Sequence, residues 1–92
     1  MNIELRFFAT VREAVGERAI TRKFEADTTV RDVLSVLEGE YSALDGMLLD
    51  DGEVASSITV LHNGVHVTHL DGSGTELVDG DRLAITPPVT GG

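Results

Sequence analysis

The side chains of this sequence that could do chemistry are few, and their spacing does not suit catalysis. There is no cysteine, so a thiolate nucleophile, a thiolate metal site and a disulfide are all excluded. The three histidines, His62, His66 and His69, lie in "ITVLHNGVHVTHL". A two-residue turn at Asn63-Gly64 sets His62 opposite Val65, His66 opposite Leu61 and His69 opposite Ile58, so the rings fall on both faces of a hairpin. Zinc needs three or four converging ligands, and this register does not converge them. "DGSGTELVDGD" places Asp71, Ser73 and Thr75 at alternate positions of a calcium loop. Its sixth position is Glu76, where such a loop requires glycine, and its flanks read as strands. The "DGSG" stretch therefore reads as a flexible turn. Asp50 and Asp51 are neighbours in a loop, which is the pattern of a solvated surface rather than an acid–base pair. No serine sits in a nucleophile elbow, and no phosphate-binding glycine loop opens a helix. The expectation is a protein that is not an enzyme, with no metal and no stably bound cofactor.

What remains is main chain. The sequence ends "LAITPPVTGG". Leu83 and Ile85 alternate as a buried strand that ends near Thr86. Pro87 and Pro88 fix φ, disfavour helix and lack N–H donors, so they hold the following residues away from the sheet as a stiff stem. Val89 and Thr90 continue that stem, and Gly91-Gly92 close it without side chains. Such a stem can thread a narrow channel and present its terminal carboxylate to another protein. A carboxylate is unreactive until activated, for example as an acyl-adenylate, and two glycines leave the attacked carbonyl open. The alternative is an incidental flexible end.

The elements that must position this stem follow from periodicity. "MNIELRFFA" alternates, with Met1, Ile3, Leu5 and Phe7 on one face. Phe8 falls on the other side, either open to a partner or covered by a loop. "TVREAVG" reads as a short helix capped by Thr10 with Glu13 and stopped by Gly16. "RAITRKFE" is a second strand with Ile20 and Phe24 on one face. "DTTVRDVLSVLEGEY" is the clearest helix, capped by Thr29 with Asp32, and Val30, Val33, Leu34, Leu37 and Tyr41 form its apolar stripe. Residues 42–56 read as a loop, with a turn around Met47–Leu49. The Asn63-Gly64 hairpin, a turn at Asp79-Gly80-Asp81 and the final strand complete a β-β-α-β-β-β order. One sheet with one helix across it is an α+β layer pair.

Composition narrows the partners. The chain has 92 residues and a formal charge of −9, which fits one domain with a modest core. Nucleic acid would be repelled. No signal peptide or long apolar run is present, so a cytoplasmic protein without a membrane partner is expected. Of the seven basic residues only Lys23 is a lysine. So acidic and lysine-poor a surface suits a salt-rich cytoplasm and a halophilic source. A monomer is expected, since the candidate edge strands carry charge.

The closing "LVDGDRLAITPPVTGG", the hairpin "ITVLHNGVHV" and the helix "TTVRDVLSVLEGEY" together resemble the ubiquitin-like β-grasp sulfur carriers. That family includes the small subunit of molybdopterin synthase, the thiamine-pathway sulfur carrier and the small archaeal modifier proteins. With the acidic composition, the chain is most similar to the haloarchaeal modifiers. The resemblance covers the whole chain, with residues 42–56 the least family-like part. It implies a β-grasp fold over residues 1–86, a mixed sheet of four or five strands against one main helix, with residues 87–92 as an extended tail. It further implies that an E1-like enzyme uses ATP to adenylate the Gly92 carboxylate. The activated end would then become a thiocarboxylate or be joined to a target lysine by an isopeptide bond. Gly91, Thr90 and Val89 would thread into the partner, and Phe8 is the candidate for the docking surface on the open face of the sheet. Three roles share this tail: a covalent modifier that also carries sulfur; a dedicated sulfur-donating small subunit of molybdopterin synthase, paired with its large subunit; and, in a different class, a non-covalent interaction module. If copies are joined to one another, Lys23 or the N-terminus must be the acceptor; otherwise Lys23 is an ordinary strand-surface charge.

Overall fold

The computed structural model describes residues 1–87. Seven strands and two α-helices follow in the order β1 (Asn2–Phe7), α1 (Ala9–Val15), β2 (Ala19–Lys23), α2 (Val30–Glu40), β3 (Leu49–Asp50), β4 (Glu53–Val54), β5 (Thr59–His62), β6 (Val65–His66) and β7 (Arg82–Thr86). The main sheet has five strands in the order β2-β1-β7-β5-β6, and β3 pairs with β4 separately. β7 lies parallel to β1, with Leu5 opposite Leu83 and Phe7 opposite Ile85. The other pairings are antiparallel. A mixed sheet with its first and last strands parallel at the centre and a helix across one face is the expected β-grasp arrangement.

Alternation places Ile3, Leu5 and Phe7 of β1 and Leu83 and Ile85 of β7 on the covered face, all essentially buried. The α2 stripe of Val30, Val33, Leu34 and Leu37 packs onto them. Thr29 and Asp32 cap α2 reciprocally: the Thr29 hydroxyl accepts from the Asp32 N–H, and the Asp32 carboxylate accepts from the Thr29 N–H at 3.0 Å. The Asn63-Gly64 turn forms as read, with both residues at positive φ, 50° and 87°.

Four expectations are corrected. The first helix has no Thr10–Glu13 capping box. Its N-cap is Phe8, whose carbonyl accepts from Val11 and Arg12, so Thr10 is already inside the first turn. The chain bends directly from β1 into α1 at Ala9, which takes φ 51° and leaves no room for a separate capping residue. Residues 42–56 are not an open loop. They hold a 3-10 turn at Ser42–Leu44 and the β3-β4 hairpin, which turns at Asp51-Gly52 with φ of 55° and 82°. Buried Leu44 and Leu48 anchor this segment, and its strands are too short to show a period. The β5-β6 hairpin ends at His66, because the His66 ring accepts from the Thr68 N–H and turns the chain into a 3-10 turn at Val67–His69; His69 is therefore not opposite Ile58. "DGSG" is likewise a fixed turn: Ser73 is buried, accepts from Arg31 at 3.0 Å and donates to Glu53 at 3.0 Å.

The capping box on α2 makes a measurable prediction. Thr29→Ala removes the acceptor for the Asp32 N–H and is expected to lower unfolding free energy by about 1 kcal/mol, as read by chemical denaturation with an unchanged slope.

Candidate partner-docking face and C-terminal stem

The stem grows from the centre of the sheet. β7 is hydrogen-bonded to β1 on one side and β5 on the other, and it ends at Thr86. Val89, Thr90, Gly91 and Gly92, the residues expected to enter a partner, lie outside the described residues. What the fold positions is the root of the stem and the surface beside it.

Register defines that surface. Residues paired across strands share a face. On the side away from α2, Arg6 of β1 stands opposite Ala84 of β7, which stands opposite Leu61 of β5, which faces His66 of β6. Glu4 and Arg82 form the row before it. Phe8 continues β1 with extended backbone, and its N–H donates to the Ile85 carbonyl at 3.2 Å. It therefore stands beside the end of β7. Phe7 is 1% exposed while Phe8 is 45% exposed, so of the two adjacent phenylalanines only Phe8 is open to a partner, with no loop among the described residues covering it.

A groove of about 270 Å³ opens next to Phe8, lined also by Arg6, Arg12, Arg18 and Ala19. Arg6 shares its charge with Glu4, whose carboxyl is held below the usual range by the hydrogen bond from Arg6. Arg12 and Arg18 have no ion-pair partner among the described residues. Three of the seven basic side chains of a chain charged −9 thus gather at one exposed aromatic ring. Reading residue by residue missed Arg12 and Arg18. The signal that could have found them is the crowding of five of the basic residues into the first 23 positions.

The other end of β7 is locked by a polar cluster. Asp81 is 6% exposed. Its carboxylate can only accept, so His62 Nε2 donates to it at 2.7 Å, the Val78 N–H at 2.9 Å and the Asn63 amide at 3.0 Å. Burial pushes the Asp81 carboxyl up. The bonds from His62, Val78 and Asn63 together outweigh that and hold it below its ordinary value. His62 is thereby a structural partner. His66 and His69 meet edge to face with ring centroids 6.1 Å apart. Lys23 is exposed at the end of edge strand β2. Among the described residues no helix is long and apolar enough to cross a membrane.

The model of the ThiS family matches residues 5–92, nearly the whole length. The chain belongs to the ThiS family. It is 53% identical over 92 residues to small archaeal modifier protein 3 of Haloferax volcanii, with 100% of both chains covered. It is 30% identical over 92 residues to a protein described as a sulfur carrier in Archaeoglobus fulgidus, again with 100% of both covered. The crystal structure of small archaeal modifier protein 1 from Haloferax volcanii superposes with a TM-score of 0.82 at 35% identity, covering 100% of each chain. These similarities establish the β-grasp fold and place the chain among the ubiquitin-like modifiers and sulfur carriers of the ThiS family.

The Asp81 cluster carries a pH dependence. A carboxyl depressed by folding contributes stability that is present above its ordinary value and is lost as pH falls through the folded value. Asp81→Asn is therefore expected to lower stability at pH 7 by about 1–3 kcal/mol. It should also flatten the acid limb, so that the deficit narrows below about pH 4. Urea denaturation of both forms from pH 7 to pH 2.5 checks both points.

Proposed function

We propose that this chain is a ubiquitin-like protein modifier that acts through Gly92. An E1-like enzyme spends ATP to adenylate the Gly92 carboxylate, and a target lysine displaces AMP to form an isopeptide bond. The observation that carries the reading is the position of β7: the last strand lies at the centre of the sheet and ends at Thr86 beside exposed Phe8. The enzyme would grip Phe8 and the arginine-lined groove while Val89, Thr90, Gly91 and Gly92 thread toward its nucleotide. Hydrophobic contact from Phe8 supplies affinity, and Arg12 and Arg18 favour an acidic rim on the partner. Identity of 53% over the full length to a modifier protein supports this.

A second reading uses the same tail for sulfur. Full-length similarity to a sulfur carrier favours conversion of the adenylated Gly92 to a thiocarboxylate, with donation to a partner such as the large subunit of molybdopterin synthase. The folded part contributes placement in either case, and no cofactor need be held by it.

The discriminating measurement is what is bonded to Gly92. The last tryptic site is Arg82, so a conjugated lysine carries the branch Leu83–Gly92, "LAITPPVTGG". Tagged protein purified under denaturing conditions from a host with the conjugating enzymes is expected to show that branch on lysines of other proteins. Deletion of Gly91-Gly92 is expected to abolish it. A free C-terminal peptide with sulfur in place of one oxygen, without branches, would assign the chain to sulfur donation alone. Neither species, with the deleted form fully active, would leave a non-covalent module. Phe8→Ala is expected to cut the conjugated fraction roughly tenfold or more while leaving the fold intact, the behaviour of an exposed anchor residue.

A further inference from the structure

We infer that the outer edge of β2 takes an added strand from another protein, an extended segment with apolar residues on one face and carboxylates on the other. This goes beyond Gly92 and needs no reaction there. β2 closes one side of the main sheet and pairs only with β1. The Phe7 N–H donates to the Arg18 carbonyl and the Phe24 N–H to the Met1 carbonyl, both at 2.8 Å. Antiparallel pairing alternates, so Arg18, Ile20, Arg22 and Phe24 turn their main chain toward β1. Ala19, Thr21 and Lys23 turn theirs outward, and all three residues are exposed. No turn, helix or loop among the described residues bonds to their main-chain groups. Such an open row of donors and acceptors is what an added strand completes. The opposite edge strand, β6, has two residues and offers no comparable row.

Charge selects the occupant. Residues 18–24, "RAITRKF", hold three of the seven basic residues and no acidic one, in a chain charged −9. Arg22 is bonded to Glu40 at 2.7 Å. Arg18 and Lys23 have no ion-pair partner among the described residues. They stand at the two ends of the edge, with Arg18 lining the groove beside Ala19. Carboxylates at both ends of the added segment would meet them. Between the two ends Thr21 lies opposite Glu4, so the middle position on that face takes an uncharged residue. On the other face, half-buried Ile20 and Phe24 pack against the core. Exposed Val36 of α2 lines a groove with Phe24. Added side chains there stand beside Ile20 and Phe24, which suits apolar residues.

A second copy does not match this edge. Two β2 edges paired antiparallel about Thr21 would bring the Lys23 end of each to the Arg18 end of the other, with no carboxylate on either strand. The position is also separate from the root of the stem. β1 lies between β2 and β7, so the edge is about 10 Å to the side of β7 and can be occupied while the stem is engaged.

The test uses isotope-labelled full-length protein and the end-blocked peptide Val-Glu-Val-Thr-Val-Glu-Val, which reads the same in either strand direction. The expected result is saturable shifts of the Ala19, Thr21 and Lys23 N–H signals, with hydrogen exchange slowed several-fold at those three positions. Thr21→Pro removes the middle outward donor and keeps the bonds of β2 to β1, as an edge position allows, and should abolish binding. Arg18→Glu combined with Lys23→Glu changes only exposed side chains and should weaken binding roughly tenfold. The same peptide with lysine for glutamate should bind the wild type at least tenfold more weakly. No slowing at the three N–H groups, slowing centred on another strand, or equal binding of the lysine peptide overturns the inference. So does binding that survives either Thr21→Pro or the double charge reversal. Slowing that grows with protein concentration in the absence of peptide would assign the edge to a second copy and overturn the choice of partner.

Discussion

Because β7 is hydrogen-bonded to β1 on one side and to β5 on the other, the final strand of the chain sits in the middle of the sheet. Leu83 and Ile85 are fully buried there against Leu5, Phe7 and Val60. A terminal strand at an edge could fray, but this one cannot leave without opening the core on both sides. The parallel pairing of first and last strands also makes the central contact long in sequence, with the helices and the flanking strands β2, β5 and β6 all lying between its two halves in the chain. The root of the stem is thus a fixed point of the fold.

That fixed point is held at both ends of β7. At its start, Asp81 gathers His62, Asn63 and the Val78 N–H, and the Asn63 side chain in turn accepts from the Arg82 N–H at 2.9 Å. These bonds tie the β5-β6 turn to β7 and set their register, so a one-residue slip would strand a buried carboxylate. At its end, the Phe8 N–H holds the Ile85 carbonyl, which keeps the exposed ring level with the place where the stem departs. The exposed Phe8 ring and the end of β7 are therefore referenced to the same strand rather than to a loop.

The sequence disclosed the parts of this arrangement that depend on period and on local turn chemistry. The α2 stripe with its capping box, the alternation of β1 and β7 and the Asn63-Gly64 turn were all legible for that reason. Phe8 was legible because two adjacent aromatics on a strand cannot share a face. The missed features depend on individual side-chain contacts, some of them distant in sequence. Arg31 reaches the Gly52 carbonyl at 2.7 Å as well as Ser73, which turns two apparently loose glycine-rich segments into fixed ones. His66 ends its own strand by turning back on Thr68. Arg12 and Arg18 meet Phe8 only once α1 is folded against β1. No window of local sequence contains both Arg31 and Gly52 or Ser73, and the nearer pairs carry no periodic pattern that would announce them.

The division of labour follows from where reactivity lies. Asp32, His62, His66 and Asp81 serve capping and strand register. A reactive group carried on a side chain would have to be built into this small core or exposed on its rim, where 92 residues offer no deep cleft. On the proposed reading the reactive group is the main-chain carboxylate of Gly92, which leaves the core to supply rigidity alone. The selectivity that the stem lacks, having no side chains at Gly91 and Gly92, must then come from the folded surface at its root. Phe8, Ala84 and Leu61 with their flanking arginines provide an apolar centre and a charged rim at that place, which is the composition that protein interfaces use to combine affinity with choice of partner.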